Sequence, residues 1–281
     1  MCTREDTKKY IILPNKKDFN KFKAKGFNSF ILPLEKYSIG FDVYFSISEI
    51  KDLSNKFNIY IMINKFLHKK ELFEIENLFK NFNFSNIKGI FIEDLSLTKL
   101  IPNEKIIIYQ NHMINNYESI NFFKSLGFEN VVINNALTIE EIKEIRNKTT
   151  SKLCYFLISK NILMYSKRKL VSNYFENYNL EKTKEKYNIK EEVTKKEFIV
   201  KEENGSSTIS NNVIFCANKF INELEKLDFL IINLTNINEE ENIILENFNS
   251  DKLQSMINSD YYFLENEIKY KIGDIKWDQK S

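Results

Sequence analysis

Proton transfer at neutral pH needs a group that titrates there, and the 281-residue chain has two histidines to offer, His68 and His112. Both follow β-rich runs, as do the adjacent acids Glu93-Asp94. The other polar residues in equivalent places, Asn64, Gln110, Asn116, Asn134 and Asn135, are amides. Amides donate and accept hydrogen bonds but do not exchange protons near neutrality, so the histidines and the acidic pair are the acid–base candidates. Neither histidine has an orienting partner in sequence, and capping a loop or packing at a rim is the simpler role for each. His68-Lys69-Lys70-Glu71 lacks the second histidine, one turn on, of a zinc-binding helix. No G-x-S-x-G elbow, phosphate-binding glycine loop or aspartate pair supplies a nucleophile or an anion cradle. Cys2, Cys154 and Cys216 lie too far apart for a local disulfide framework or metal motif, and read as packed thiols.

The segment Leu163–Tyr174 is the most distinctive: Ser166, the cations Lys167, Arg168 and Lys169, then Ser172, Asn173 and Tyr174. A guanidinium suits bidentate recognition of phosphate or carboxylate, and the flanking lysines add local positive charge. The alternative is a solvated basic turn.

Residues so placed need elements to hold them. Eight β-rich runs, Tyr10–Leu13, Ser29–Leu32, Ile59–Ile63, Gly89–Ile92, Lys105–Tyr109, Asn130–Ile133, Leu153–Ile158 and Phe229–Asn233, alternate with helical patterns. Most are apolar on both faces, as in a parallel sheet covered by helices. Leu72, Ile75, Phe79 and Phe82 share one helical stripe, and Ile139, Ile142 and Ile145 another. Ser46 with Glu49 and Thr138 with Glu141 have capping-box spacing. Eight βα units without a glycine-rich first turn predict an α/β fold of TIM-like (β/α)8 barrel type rather than a dinucleotide-binding sheet. Residues 1–281 read as a single barrel domain, with an insertion at about 174–218 between strands seven and eight. Asn204-Gly205 inside it marks a tight turn between two strands, Lys196–Lys201 and Thr208–Ile214. In a barrel the chemistry lies at the carboxyl ends of the strands, where Asn64, His68, Asp94, His112 and Asn116 fall.

The 43% hydrophobic content, with 24 Phe and 14 Tyr, is ample for a folded interior. With 41 basic and 39 acidic residues the formal charge is +2, so any attraction to nucleic acid or membrane must be local. Charged residues in Met1–Asp6, and the lack of any apolar run of about 20 residues, predict a cytoplasmic chain with no membrane partner.

At the basic segment the chain resembles the collagenase-like peptidase family, peptidase family U thirty-two. The family motif carries a Ser-Gly-Arg triplet followed by Ser-Asn-Tyr, which Ser166, Arg168, Ser172, Asn173 and Tyr174 match. Further matches are Ile63-Asn64 through Leu67-His68, Glu93-Asp94, Asn116 before Phe122-Phe123, Gly127, and Leu137 to Ile142, so the likeness runs from about 25 to 235. The family includes RNA hydroxylation proteins and proteins of oxygen-independent ubiquinone synthesis. The resemblance implies a role in hydroxylating the wobble uridine of tRNA. In cluster-bearing relatives, cysteines of this motif bind an iron–sulfur cluster; here Ile162 and Lys169 stand in their place, so no cofactor is expected in this chain. The family's Arg-Glu at the sixth strand end is Asn135-Ala136, and its polar positions on strands seven and eight are Cys154, Ile158, Ser159 and Ile231 to Leu234. Loss of these groups together suggests a non-catalytic partner of a larger, cluster-bearing homologue, with the basic segment contacting tRNA or that homologue. The competing readings are a peptidase without a recognisable nucleophile, and a solitary anion or small-molecule binding barrel built on Asn64, His68, Lys167 and Arg168.

Overall fold

The computed structural model describes residues 9–110, 113–193 and 195–265. Its centre is a closed barrel of parallel strands: β1 (Tyr10–Leu13), β2 (Ser29–Pro33), β3 (Asn58–Ile63), β4 (Ile87–Ile92), β5 (Ile106–Ile108), β6 (Asn130–Val132) and β7 (Lys152–Ser159). The eighth barrel strand comes later in the chain, after β8 (Ile162–Ser166), β9 (Lys186–Lys190), β10 (Glu197–Glu203), β11 (Ser206–Asn211) and β12 (Ile214–Cys216). It is β13 (Phe229–Asn233), which pairs in parallel with both β7 and β1 and so closes the ring. The expected barrel is present, each strand within a few residues of its predicted place.

Period-two alternation divides the strand residues between two cores. Ile11, Leu13, Ile31, Tyr60, Met62, Phe91, Ile107, Val132, Cys154, Phe156 and Ile231 fill the barrel. Their neighbours, such as Ile12, Phe30, Leu32, Ile61, Ile90 and Ile92, face the surrounding helices. Those helices are α1 (Phe19–Ala24), α2 (Ile47–Ser54), α3 (Lys69–Lys80), α4 (Tyr117–Ser125) and α5 (Ile139–Lys148). Both predicted capping boxes form: Ser46 with Glu49 opens α2, and Thr138 with Glu141 opens α5. Between β4 and β5 short 3-10 turns, Leu95–Lys99 and Asn103–Lys105, replace an α-helix. Pro102, with no N–H to donate, separates them.

The insertion is a second sheet and starts earlier than expected. β8 already belongs to it, because the chain leaves the barrel directly after β7. Its strands run antiparallel in the order β8-β11-β10-β9, with α6 (Leu170–Asn177) packed on it. The Asn204-Gly205 turn links β10 to β11 as predicted, both residues having positive φ, 49° and 74°. The chain then returns through β12, which pairs antiparallel with the end of β7 at Phe215↔Ser159. α7 (Ile221–Leu224) leads into β13, and α8 (Glu241–Asn247), α9 (Leu253–Met256) and β14 (Ser259–Asp260) follow, β14 extending the sheet beside β12. No helix among the described residues is long and apolar enough to cross a membrane.

The barrel interior is packed to the point where one position must lack a side chain. A Cβ on Gly89 would lie 2.6 Å from Ile107 Cδ1 and 3.1 Å from Tyr60 Cδ1. Gly89→Val therefore overfills the barrel, and urea unfolding is expected to show a loss of about 1–3 kcal/mol. A variant as stable as the wild type would mean that Ile107 can turn away at no cost.

Candidate functional site

The small sheet lies over the carboxyl ends of the barrel strands, where a barrel ordinarily presents its site. Two adjacent carboxylates on β10 fasten it, because neighbouring residues of a strand face opposite ways. Glu203 turns toward the barrel: it accepts from the Gly40 N–H at 2.7 Å and from the Tyr44 hydroxyl, and pairs with Lys201 at 2.8 Å. Lys201 also donates to the Phe41 carbonyl. Burial, with Glu203 beside it, raises the Tyr44 pKa well above a free phenol's. Glu202 turns toward α6, accepting from the Ser172 N–H at 2.9 Å, from the Ser172 hydroxyl and from Lys182. Ile162 enters over Gly40, its Cδ1 only 2.7 Å from where a Cβ on that residue would sit. Gly40 also has φ 88°, so glycine is required there twice over.

Beneath this cover the mouth is nearly filled. What remains are cavities of about 40 Å³, beside Asn64, Glu93, Tyr109 and Tyr165, and about 20 Å³, beside Tyr109, Asn135, Ser159 and Asn233. Each has room for little more than water. Burial pushes the Glu93 carboxyl up to about 7, with no cation offsetting it.

The sequence-predicted residues divide into three groups. Asn64, Asp94, Lys167 and His68 come together at one edge of the mouth, but each is engaged in holding loops. Asn64 brackets the Ile39 backbone, accepting from its N–H at 2.9 Å and donating to its carbonyl at 3.1 Å. Asp94 accepts from the Leu67 and Ser96 N–H groups, both at 2.9 Å. Burial alone would raise its pKa, but these bonds and nearby Lys167 bring it below the usual value. Lys167 reaches Glu71 at 3.3 Å, and Lys65, itself buried, reaches the same carboxylate at 2.6 Å. Glu71 also takes the His68 N–H at 2.9 Å. Burial opposes its ionisation, yet the His68 N–H and the two lysines hold its pKa at about 2. His68 is thus the exposed residue at the start of α3, not a group inside the mouth.

Asn116 stands apart, capping α4 by accepting from the Ser119 N–H at 2.9 Å. Ser166 accepts from the Arg168 N–H at 3.3 Å and shapes the basic turn, while Ser172 is committed to Glu202. Arg168, Asn173 and Tyr174 are exposed, and the Arg168 guanidinium has no ion pair among the described residues. His112 lies outside the described residues. Glu93 is the site residue that strand-end reading left undivided from its neighbour: Gly89, Phe91 and Glu93 fall on one alternation and Ile90, Ile92 and Asp94 on the other.

The profile of peptidase family U32 matches residues 19–238, most of the chain. The chain belongs to that family. The tRNA hydroxylation protein P1 of Bacillus subtilis (strain 168) is 24% identical over 120 residues, which make up 41% of this chain but only 28% of that protein. The structure of the U32 peptidase Mk0906 superposes with a TM-score of 0.50 at 12% identity, covering 80% of this chain and 92% of the other, a likeness of fold. In this U32 chain the family's motif runs through β8 and the start of α6, over the barrel mouth. An iron–sulfur cluster there needs thiolates, and the residues present do not fit one: Ile162 and Leu163 are hydrocarbon, and Lys169 is cationic. Cys154 is sealed inside the barrel and Cys216 in β12; burial raises both thiols, Cys216 to about 11. Cys2 lies outside the described residues.

Two pH responses of opposite sign follow. Glu202, like Glu71, ionises at about 2 when folded, against 4.5 for the ordinary side chain. Their stabilisation is complete above 4.5 and drains away as pH falls toward 2. Hydrogen exchange should show β10 and β11 losing protection across that window, and undiminished protection at its foot would refute the fastening role. Glu93, raised to about 7, acts in reverse, destabilising the fold once pH exceeds 4.5 and fully above 7. Glu93→Gln should match the wild type near 4.5 and exceed it at about pH 8 by on the order of 1–3 kcal/mol in urea unfolding.

Proposed function

We propose that this chain is a non-catalytic partner in tRNA hydroxylation at the wobble uridine, acting beside a larger, cluster-bearing homologue. The observation that carries this reading is the covered mouth: Ile162 and the small sheet occupy the place where a barrel would admit substrate, leaving cavities of about 40 and 20 Å³. Asn64 and Asp94 at the strand ends bond to neighbouring loops, and Ser172 to Glu202, rather than to an open space. The tRNA comes from the name of the Bacillus subtilis relative.

The surface beside the cover has the chemistry that RNA contact uses, cations for phosphates and aromatic faces for bases. Arg168 and Lys169 project from the turn before α6. Tyr174 follows on that helix and Tyr178 at its C-terminal cap, 56% and 60% exposed, with ring centroids 4.8 Å apart. Peptidase activity, the runner-up, would have Glu93 as its acid and would need the small sheet to lift away first.

Fluorescence anisotropy with tRNA across a salt series tests the RNA half. Replacing Arg168 and Lys169 together by alanine is expected to weaken binding about tenfold or more and to flatten the slope of log affinity against log salt by about 1.5. An unchanged slope would overturn the assignment of these cations. Anaerobic pull-down from the native extract tests the other half: recovery of a cysteine-rich homologue supports it, and a chain emerging alone refutes it.

A further inference from the structure

At the amino-terminal end of the barrel, away from the covered mouth, a cavity of about 450 Å³ opens among the first residues of the strands. That is room for a small molecule. Its floor belongs to the barrel interior: Tyr60, Ile107 and Phe229. The Tyr60 and Phe229 rings meet edge to face with centroids 6.2 Å apart. Tyr60 is only 9% exposed. Its hydroxyl makes no hydrogen bond among the described residues, and it is not sealed in the core, because the residue borders the cavity. Burial pushes its pKa up to about 12, so the phenol keeps its proton and has it to offer.

The rim of this cavity carries charge of both signs. Lys152 opens β7 and Asn130 opens β6, each two residues before an inner-core residue, Cys154 and Val132, so both side chains stand on the axial face of the barrel. The two strands are in register, Asn130 opposite Lys152, and the Lys152 N–H donates to the Glu129 carbonyl at 2.8 Å. The neighbouring wall holds Lys88, on β4, and Glu104, in the 3-10 turn before β5. That turn is tied in place: Lys105 donates to the Ile87 carbonyl at 2.8 Å, and Asn103 lies against Gly127, where a Cβ would come within 3.2 Å of its Nδ2. Elsewhere on the surface lysines and glutamates pair, as Lys148 does with Glu144 and Lys25 with Glu246. Here Lys88, Lys152, Glu104 and Glu129 border one cavity, and none of them makes an ion pair among the described residues.

Two cations and two anions held apart around an apolar floor complement a molecule that carries both charges itself. A simple anion would meet the glutamates as well as the lysines, and a simple cation the reverse. A free amino acid has its carboxylate and ammonium on one carbon, with a side chain left over for the floor. We propose that this cavity binds a free α-amino acid with an apolar side chain: the carboxylate meets Lys152, Lys88 and the Tyr60 hydroxyl, the ammonium meets Glu129 and Glu104, and the side chain lies against Phe229 and Ile107. The Tyr60 hydroxyl thereby gains the acceptor it lacks. Barrel chemistry belongs to the carboxyl ends of the strands, so the amino acid is bound here and not converted. The site is independent of the RNA reading, which rests on the other end of the barrel.

Calorimetric titration of the full chain with L-phenylalanine and L-leucine, and with phenylalanine amide and N-acetyl-phenylalanine, tests the site. The amino acids should bind. The amide, which lacks the carboxylate, and the N-acetyl compound, which lacks the ammonium, should each bind about tenfold more weakly than phenylalanine, or worse. Lys152→Gln and Glu129→Gln, both at exposed positions, should each weaken phenylalanine by a similar factor, with circular dichroism to check that the variants fold. Binding of neither amino acid, equal affinity for phenylalanine and its blocked forms, or unchanged binding in both folded variants would overturn the assignment.

Discussion

Glu203 sits where two sheets meet, its carboxylate shared among a barrel-loop amide, a buried phenol and the lysine two residues before it. The side chain is mostly buried, so removing Lys201 leaves its charge without a counter-ion, a more severe defect than losing a surface ion pair. The cover over the barrel follows from this contact. With Glu203 in place, β10 and β11 lie across the mouth, Ile162 is pressed onto Gly40, and Glu202, forced to the opposite face, takes hold of α6. The basic turn is thereby fixed beside α3, where Lys167 meets Glu71.

The barrel was legible in the sequence because each strand is covered on both sides, so short continuous apolar runs marked the strands almost to the residue. Ser46 and Thr138 announced their helices by a spacing that has one physical use. The second sheet was far less legible. β8 and β9 are mostly half-exposed or exposed and carry no strong alternation, and β8 finds its partner β11 only after α6, β9 and β10 have intervened. Only the Asn204-Gly205 hairpin, a local signal, was visible there. The insertion therefore begins at β8, ahead of residue 174, without a local signal to mark its start.

The site was partly legible for related reasons. Strand ends pointed correctly to Asn64 and to Glu93-Asp94, but the position alone does not say which acid faces inward; alternation with Gly89 and Phe91 does. His68 and Asn116 drew notice as polar residues near strand ends, yet each stands three residues before a side chain or amide that completes a helix start, Glu71 in one case and Ser119 in the other. Their neighbours explain them without invoking substrate.

The chain leaves the barrel at Ser159 and comes back at Phe215, and those two residues are hydrogen-bonded neighbours. An excursion whose two ends touch adds little closure entropy to the body from which it departs, and that increment grows only slowly with its length. The barrel's own pairings join β7 to β13 regardless of what is threaded between them. Such an arrangement lets the covering sheet vary in size and sequence over evolutionary time while the register of the strands below stays as it is.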